Sequence, residues 1–343
     1  MQTSGPRAVI FGVAGPSLSA AERRFFSETD PLGFILFARN CRDPREIRRL
    51  VSDLGDCVGR GDALVLIDQE GGRVQRLKPP HWRAAPPAEV FGRLSESDEQ
   101  GAIEAAWLNA RLLAADLASL GIDVDCAPVL DVRRPEGHAI IGDRAFAGQP
   151  ETVALLGRAT CAGLLAGGVL PVIKHIPGHG RACLDSHEAL PVVHAAAEDL
   201  QRIDFAPFAA LADMPLAMTA HVVFAALDAE APATTSAVVI REAIRGAIAF
   251  DGLLISDDIC MRALVGPPAE RARAALEAGC DVVLHCDGDL AEMRAVAEAC
   301  PPLSADARRR LARAQAMRAP PEPFEPERAT ERLAALLGGR VSA

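Results

Sequence analysis

The densest chemistry in the chain lies between Lys174 and His187, which read Lys174-His175-Ile176-Pro177-Gly178-His179-Gly180-Arg181-Ala182-Cys183-Leu184-Asp185-Ser186-His187. An apolar, strand-like run from Val169 to Ile173 delivers the Lys-His pair, a Gly-rich loop follows, and Asp-Ser-His closes the segment. Polar groups packed this closely beside a buried strand are costly unless they are paired or used. Three chemistries suit them. His187 can be a general acid/base, oriented by Asp185 two residues before it. His175, His179, Asp185 and His187 can ligate a metal. Lys174 can form a Schiff base. Metal-dependent barrel hydrolases usually carry His-x-His at the first strand end, but that end here is Gly12-Val13-Ala14-Gly15. A Schiff-base lysine needs desolvation, and the neighbouring His175 keeps the spot polar. The acid/base reading survives best, and it leaves Lys174 and His175 to bind substrate hydroxyls.

Two further strand ends carry carboxylates. Asp68-Gln69-Glu70-Gly71-Gly72-Arg73-Val74-Gln75-Arg76 follows a third apolar run. Its Gly pair permits a positive φ or a close backbone approach. Asp68 can accept hydrogen bonds from ligand hydroxyls, or it can brace the loop by pairing with an Arg. Ser256-Asp257-Asp258 ends a seventh run. Adjacent strand residues point opposite ways, so one of the two carboxylates points into the site. We assign Asp257 to the site, where a carboxylate can act as nucleophile, and Asp258 to a supporting role, the alternative being a helix N-cap. Gly142-Asp143-Arg144 brings an Arg near the same face, or is a surface loop. His221 either donates in the site or is structural. His81, His138, His194 and His285 are assigned structural roles.

The elements that must hold these groups alternate along the chain. Short, near-continuously apolar runs read as strands buried on both faces. They are Ala8–Val13, Gly33–Phe37, Ala63–Ile67, Val124–Pro128, Leu170–Ile173, Leu216–Thr219, Gly252–Ile255 and Asp281–Leu284. Helical patterns fall between them: Ser19–Ser27, Pro44–Cys57, Glu99–Leu120, Pro150–Ala166, Ala197–Leu211, Ala237–Ala247, Pro268–Ala278 and Leu290–Cys300. Eight strand-then-helix units predict an α/β fold, a closed (β/α)8 TIM-type barrel, over an open doubly wound sheet. Polar residues directly after most runs favour the barrel, because its strand ends all open on one face. So does the lack of a GxGxxG after the first run. The Pro- and Arg-rich connection from Leu77 to Ser97 is too long for a turn and calls for a strand or short helix of its own. We place the catalytic barrel at residues 1–318. Residues 319–343 form a Pro-rich linker and an amphipathic helix at about Glu327 to Leu337, packing on the barrel or on a partner.

Composition narrows the partners. The chain has 343 residues, half of them apolar, with a net charge of −10. There is no basic stripe for nucleic acid. No run approaches the ~20 apolar residues of a membrane helix. Nine scattered Cys with no CxxC pair fit reduced thiols. A cytoplasmic protein is the expectation, with the first apolar run a strand rather than a signal peptide.

Taken together, these motifs resemble glycoside hydrolase family 3, in particular its bacterial β-N-acetylglucosaminidases of cell-wall recycling. The resemblance covers roughly Gly33 to Leu284. It rests on Ile67-Asp68-Gln69-Glu70-Gly71-Gly72-Arg73-Val74-Gln75-Arg76, Ile141-Gly142-Asp143-Arg144, Lys174-His175-Ile176-Pro177-Gly178-His179-Gly180, Asp185-Ser186-His187 and Ser256-Asp257-Asp258, in that order. It implies Asp257 as nucleophile, His187 as general acid/base and Asp185 as its dyad partner. It further implies that Asp68, Arg76, Arg144, Lys174 and His175 hold an N-acetylglucosamine ring. No cofactor and no metal are implied, so activity should survive EDTA. The substrate implied is a carbohydrate, an N-acetylglucosamine-containing muropeptide. The length leaves no room for the second α/β domain of many relatives, so the catalytic loop supplies the acid/base and is expected to move on its Gly hinges. The chain departs from the family pattern at Ile176, where Phe is usual, and at Ile259-Cys260-Met261, where Leu-Ser-Met is usual. It has no Tyr, so sugar stacking falls to Phe, Trp or Met. Two other readings remain: a metal-dependent barrel hydrolase using His175, His179 and His187, and a catalytically silent sugar-binding protein.

Overall fold

Eight parallel strands close into a barrel in the computed structural model, which describes residues 5–339. They are β1 (Arg7–Gly12), β2 (Pro31–Leu36), β3 (Leu64–Ile67), β4 (Val124–Asp125), β5 (Leu170–Ile176), β6 (Leu216–Thr219), β7 (Leu253–Asp258) and β8 (Val282–His285). Each pairs with its neighbours in sequence, and β8 closes on β1 through Val9–Val283 and Ile10–Leu284. This is the (β/α)8 architecture.

The two-residue alternation of each strand sorts side chains into two layers. Ile10, Leu66, Val124, Val172, Met218, Ile255 and Leu284 belong to the barrel interior. Val9, Phe11, Phe34, Ile67, Ile173, Leu254 and Val283 meet the helices outside. The end opposite the site is closed by the helix Ala305–Met317, whose Leu311 and Ala314 join the interior cluster. Arg310 pins that helix to Asp251 (3.1 Å) and Asp281 (2.8 Å), which stand just before β7 and β8.

Local chemistry explains where helices start. Ser19 caps Ala20–Thr29 in a reciprocal box with Glu22, and Asp43 caps Pro44–Val58 with Pro44 in the first turn. The expected helix Ala197–Leu211 is broken instead, into Ala197–Asp199, a π-turn Leu200–Asp204 and Ala206–Ala210. Pro207 lacks the N–H that a continuous helix would use there. The expected helix Ala237–Ala247 is a π-helix over Val239–Ala247. β4 stops at Asp125, short of the expected Pro128, although Cys126 N still donates to the Ile67 carbonyl (2.8 Å). β5 and β7 run on to Ile176 and Asp258, past the apolar residues that marked them in sequence, so Lys174, His175 and Asp257 are strand residues rather than loop residues. The Leu77–Ser97 connection carries a helix, Ala88–Ser95.

After the linker, the helix Pro326–Leu336 lies on the helix Glu99–Leu120 of the same chain, burying Ala329 and Leu333. Arg332 pairs there with Glu104 (2.6 Å), Arg111 lies over the Phe324 ring (4.2 Å), and Trp107 lines the adjoining groove. Residues 340–343 of the expected terminal segment, and 1–4 of the barrel segment, lie outside the described residues. Among the described residues no helix is long and apolar enough to cross a membrane, and all nine Cys are free thiols.

Candidate active site

The C-terminal ends of the strands surround a cavity of about 260 Å³. Asp68, Arg76, Arg144, Lys174, His175, His187 and Asp257 all line it. Asp185 stands behind the wall, reaching the cavity through His187.

The floor is an ion lattice. Lys174 on β5 is buried and places Nζ 2.8 Å from Asp68 Oδ1 and 2.7 Å from Glu70 Oε1. Asp68 Oδ2 accepts from Arg76 at 3.1 Å, and Arg144 grips Glu70 with two bonds of 2.8 Å. Burial pushes the Asp68 and Glu70 carboxyls up, but the cations outweigh it: Lys174 and Arg76 hold Asp68 well below the usual range, and Arg144 and Lys174 hold Glu70 at about 2. Burial likewise works against the Lys174 charge, and Asp68 and Glu70 raise it above its ordinary value. A lysine held charged in this way is a binding group, not an amine nucleophile. Asp68 and Glu70 stand two apart and share a face. Gln69 points the other way, into protein, where its Oε1 accepts from Arg76 N (2.9 Å) and Leu77 N (3.0 Å). That latch folds Gln69–Gly71 back on Val74–Gln75 and presents Arg76 to the cavity. The turn needs its glycines: φ is 99° at Gly71 and 58° at Gly72.

The wall formed by β5 depends on Asp131, a buried residue. Its carboxylate accepts from His175 Nδ1 (2.7 Å), His175 N (3.2 Å) and His179 N (2.7 Å). Burial raises Asp131, and these contacts, His175 foremost, bring it below its ordinary value. With His175 Nδ1 held by Asp131, its Nε2 is the ring nitrogen left for the cavity. His179 is buried, and burial drives it down to about 4, so it is a neutral bond partner to Ser186 (3.2 Å).

The nucleophile candidate sits at the end of β7. Burial acts to raise the Asp257 carboxyl, but His221, His175, the Asp258 N–H and Lys174 together bring it below its ordinary value, so it is anionic at neutral pH. Its peptide is held by a ring of bonds. Asp257 N donates to Thr219 Oγ1 (3.3 Å), Thr219 Oγ1 meets Thr234 Oγ1 (2.8 Å), Thr234 meets His221 Nδ1 (2.7 Å), and His221 Nε2 reaches the Asp258 carbonyl (2.9 Å). Since a carbonyl only accepts, Nε2 carries a proton. His221 therefore positions the Asp257–Asp258 strand end, a role that sequence left undecided. Asp258 turns aside to accept from Cys260 N (3.0 Å) and Cys286 N (3.2 Å).

His187 lies opposite on the loop after β5, with its side chain 60% exposed and its Nδ1 2.7 Å from Asp185 Oδ1. Burial acts to raise Asp185, and the His187 N–H (2.9 Å) and ring bring it below its ordinary value. The loop's base is anchored by Arg181 to Asp204 (2.7 Å) and by Ala263 N to Ser186 O (3.2 Å).

Sequence reasoning did not assign Glu70, Asp131 or Ser186 to the site. Glu70 was open to discovery through the two-residue period from Asp68. Asp131 was visible only as a polar residue beyond a run, because its partners lie on another strand. His285 is buried as expected of a structural residue, but among the described residues neither ring nitrogen has a hydrogen-bond partner. Among the described residues, the side-chain groups that come within reach of one metal ion are Cys260, His285 and Glu292, and Asp258, Cys260 and Asp287. Neither set contains His175, His179 or His187, so the geometry does not assemble the metal centre considered for those residues.

Comparison with known proteins agrees with the geometry. Residues 15–315 match the glycosyl hydrolase family 3 N terminal domain. A beta-hexosaminidase of Alkalilimnicola ehrlichii is 40% identical over 286 residues, 81% of this chain and 80% of the relative. One from Thiobacillus denitrificans is 38% identical over 91% of this chain and 86% of the relative. NagZ from Neisseria gonorrhoeae in complex with N-trifluoroacetyl-D-glucosamine superposes with a TM-score of 0.87 at 31% identity, covering 97% of this chain and 98% of that one. On sequence and fold alike, the chain belongs to glycosyl hydrolase family 3 and is a glycoside hydrolase of its beta-hexosaminidase branch.

Proposed function

We propose that the chain removes terminal β-linked N-acetylglucosamine with retention of configuration, through a covalent sugar on Asp257. The supporting observation is the pairing across one cavity: an anionic carboxylate on β7, and on the loop after β5 an imidazole bonded to its own aspartate. Asp257 attacks the anomeric carbon while His187 gives a proton to the departing oxygen. The Asp185 carboxylate orients the ring and stabilises its cationic form. Water then attacks the glycosyl ester, His187 takes the water's proton, and Asp257 leaves as the free carboxylate. A neutral imidazole can serve beside Asp257 without the like-charge repulsion that a second carboxylate would bring.

The sugar hydroxyls meet Asp68, Arg76, Arg144, Lys174 and His175. Lys174 has three N–H donors and spends two on Asp68 and Glu70, leaving one for the ligand. Arg144 commits its fork to Glu70, so it shapes the wall as much as it binds. A muropeptide fragment is the substrate we favour, and the cytoplasm the compartment, in keeping with the relatives that the sequence resembles. An N-acetylglucosamine analogue bound to the gonococcal neighbour supports the choice of sugar.

The test is a fluorinated N-acetylglucosaminide that forms the covalent intermediate but hydrolyses slowly. Mass spectrometry should find one added sugar on the peptide bearing Asp257, and Asp257→Ala should take neither label nor turn over a chromogenic β-N-acetylglucosaminide while melting within a degree or two of the parent. A label on another residue, or turnover by the variant, removes Asp257 from this role. The silent-binder reading predicts no turnover by the parent itself.

A further inference from the structure

On the outer side of the β7 and β8 ends lies a second cluster that the hydrolytic mechanism does not use. Cys260 follows β7 by two residues, His285 ends β8, and Glu292 stands in the first turn of the helix Leu290–Ala299. One ligand atom from each lies within 4.8 Å of the others. His285 is completely buried, its ring edge-on to Phe11 (centroids 5.9 Å apart), and both of its nitrogens lack a hydrogen-bond partner among the described residues. An unpartnered polar ring in an apolar wall is costly. Its Nε2 points at Glu292 Oε2 from 3.4 Å without forming a hydrogen bond. A tetrahedral zinc ion with bonds of about 2.0–2.3 Å sets its ligand atoms about 3.3–3.6 Å apart. The His–Glu spacing therefore already fits two ligands of one ion, and Cys260 Sγ completes a face.

We propose that Cys260, His285 and Glu292 bind one zinc ion, with water as the fourth ligand, outside the sugar cavity. A thiolate, an imidazole and a carboxylate together suit zinc better than magnesium or calcium, which prefer oxygen alone. On binding, the Cys260 thiol proton passes to solvent and the sulfur lone pair goes to the metal. The ion would tie the strand end that carries Asp257 to β8, in parallel with the Asp258 carboxylate, which already accepts from Cys260 N and Cys286 N. The inference does not depend on which sugar the enzyme takes.

Cobalt(II) titration of the full-length, reduced, chelator-stripped protein tests it, since a cobalt–thiolate bond absorbs in the near ultraviolet. We expect that band at one equivalent per chain, displaced by one equivalent of zinc. Cys260→Ser, nearly isosteric, should abolish it, and Glu292→Gln, on an exposed helix turn, should weaken zinc at least tenfold in competition with a chromogenic chelator. Zinc should raise the melting temperature of the parent but not of Cys260→Ser. His187→Ala should keep the band. Absence of the band in the parent, its survival in Cys260→Ser, or its loss in His187→Ala overturns the proposal, the last because the ion would then belong to the sugar cavity.

Discussion

At the scale of single residues, the site separates charge by purpose. Asp68 and Glu70 are held anionic by Lys174, Arg76 and Arg144, so the floor proposed to bind sugar is already assembled in the free protein. The His187 side chain is left with one tie, to Asp185, and an exposed ring, as the proposed proton exchange with a leaving group requires. Replacing His187 with Ala should lower kcat about 10²–10⁴-fold on a substrate with a poor leaving group. The loss should shrink toward unity for dinitrophenyl glycosides, which need no proton to depart; equal losses on both would exclude the acid role. Acid stability follows from the same charges. Glu70 titrates at about 2 in the folded chain against an ordinary 4.5. The unfolded chain therefore binds more protons between those values, and the stability that Glu70 contributes is present above pH 4.5 and lost as pH falls toward 2. His179, about 4 folded against an ordinary 6.5, acts in the same direction one window higher, with stability lost as pH falls from 6.5 to 4. Chemical denaturation across pH 3–7 should thus show a decline that begins near pH 6.5 and steepens below 4.5. In His179→Asn the upper part should flatten.

At the scale of elements, what was legible in sequence was what period and punctuation encode. The apolar runs located all eight strands, and the helical patterns beginning at Ser19 and Pro44 are real helices, capped by Ser19 and Asp43. The ends of β5 and β7 were misjudged because pattern reads hydrophobicity, whereas a ladder continues through any residue whose side chain is satisfied, as Lys174 and His175 are by Asp68, Glu70 and Asp131. The broken helix around Pro207 shows a helical period overridden by a missing donor. The candidate site residues on one strand end could be named from spacing. Asp131 could not, because its meaning depends on a partner 44 residues away. The loop after β5 makes a prediction of its own at this scale. A Cβ on Gly180 would sit 1.9 Å from the Val132 carbonyl oxygen, and the atoms it meets are all Val132 backbone, with no side-chain rotamer to give way. Gly180→Ala should therefore displace the His179–His187 loop, cutting kcat/KM by at least about tenfold through lost positioning. The ion lattice, formed by Lys174 ahead of the loop and by Asp68 and Glu70 after β3, should keep equilibrium sugar binding within a few-fold. Calorimetry alongside kinetics separates the two.

At the scale of the whole molecule, the barrel is held at one end by a plug and at the flank by a strap. Arg310 on the plug helix serves both β7 and β8, whose other ends carry Asp257 and His285. The strap is the chain beyond residue 318. We propose that residues 1–318 are the catalytic unit and that the strap supports it without taking part. Ending the chain at Arg318 would uncover the faces that Ala329 and Leu333 now bury and remove the Arg332–Glu104 pair. The expected result is a melting temperature lower by several degrees, from a loss of about 2–4 kcal/mol of apolar burial, with kcat unchanged within twofold. A collapse in kcat at unchanged stability would give the strap a catalytic part.

The docked strap also makes the molecule self-reporting. The chain has no Tyr and only two Trp, and one of these, Trp107, lines the groove beside Arg332 and Leu336. Its intrinsic fluorescence should shift to the red when the strap peels away. In a Trp82→Phe background, that single indole would time the undocking in a stopped-flow cell without any dye attached.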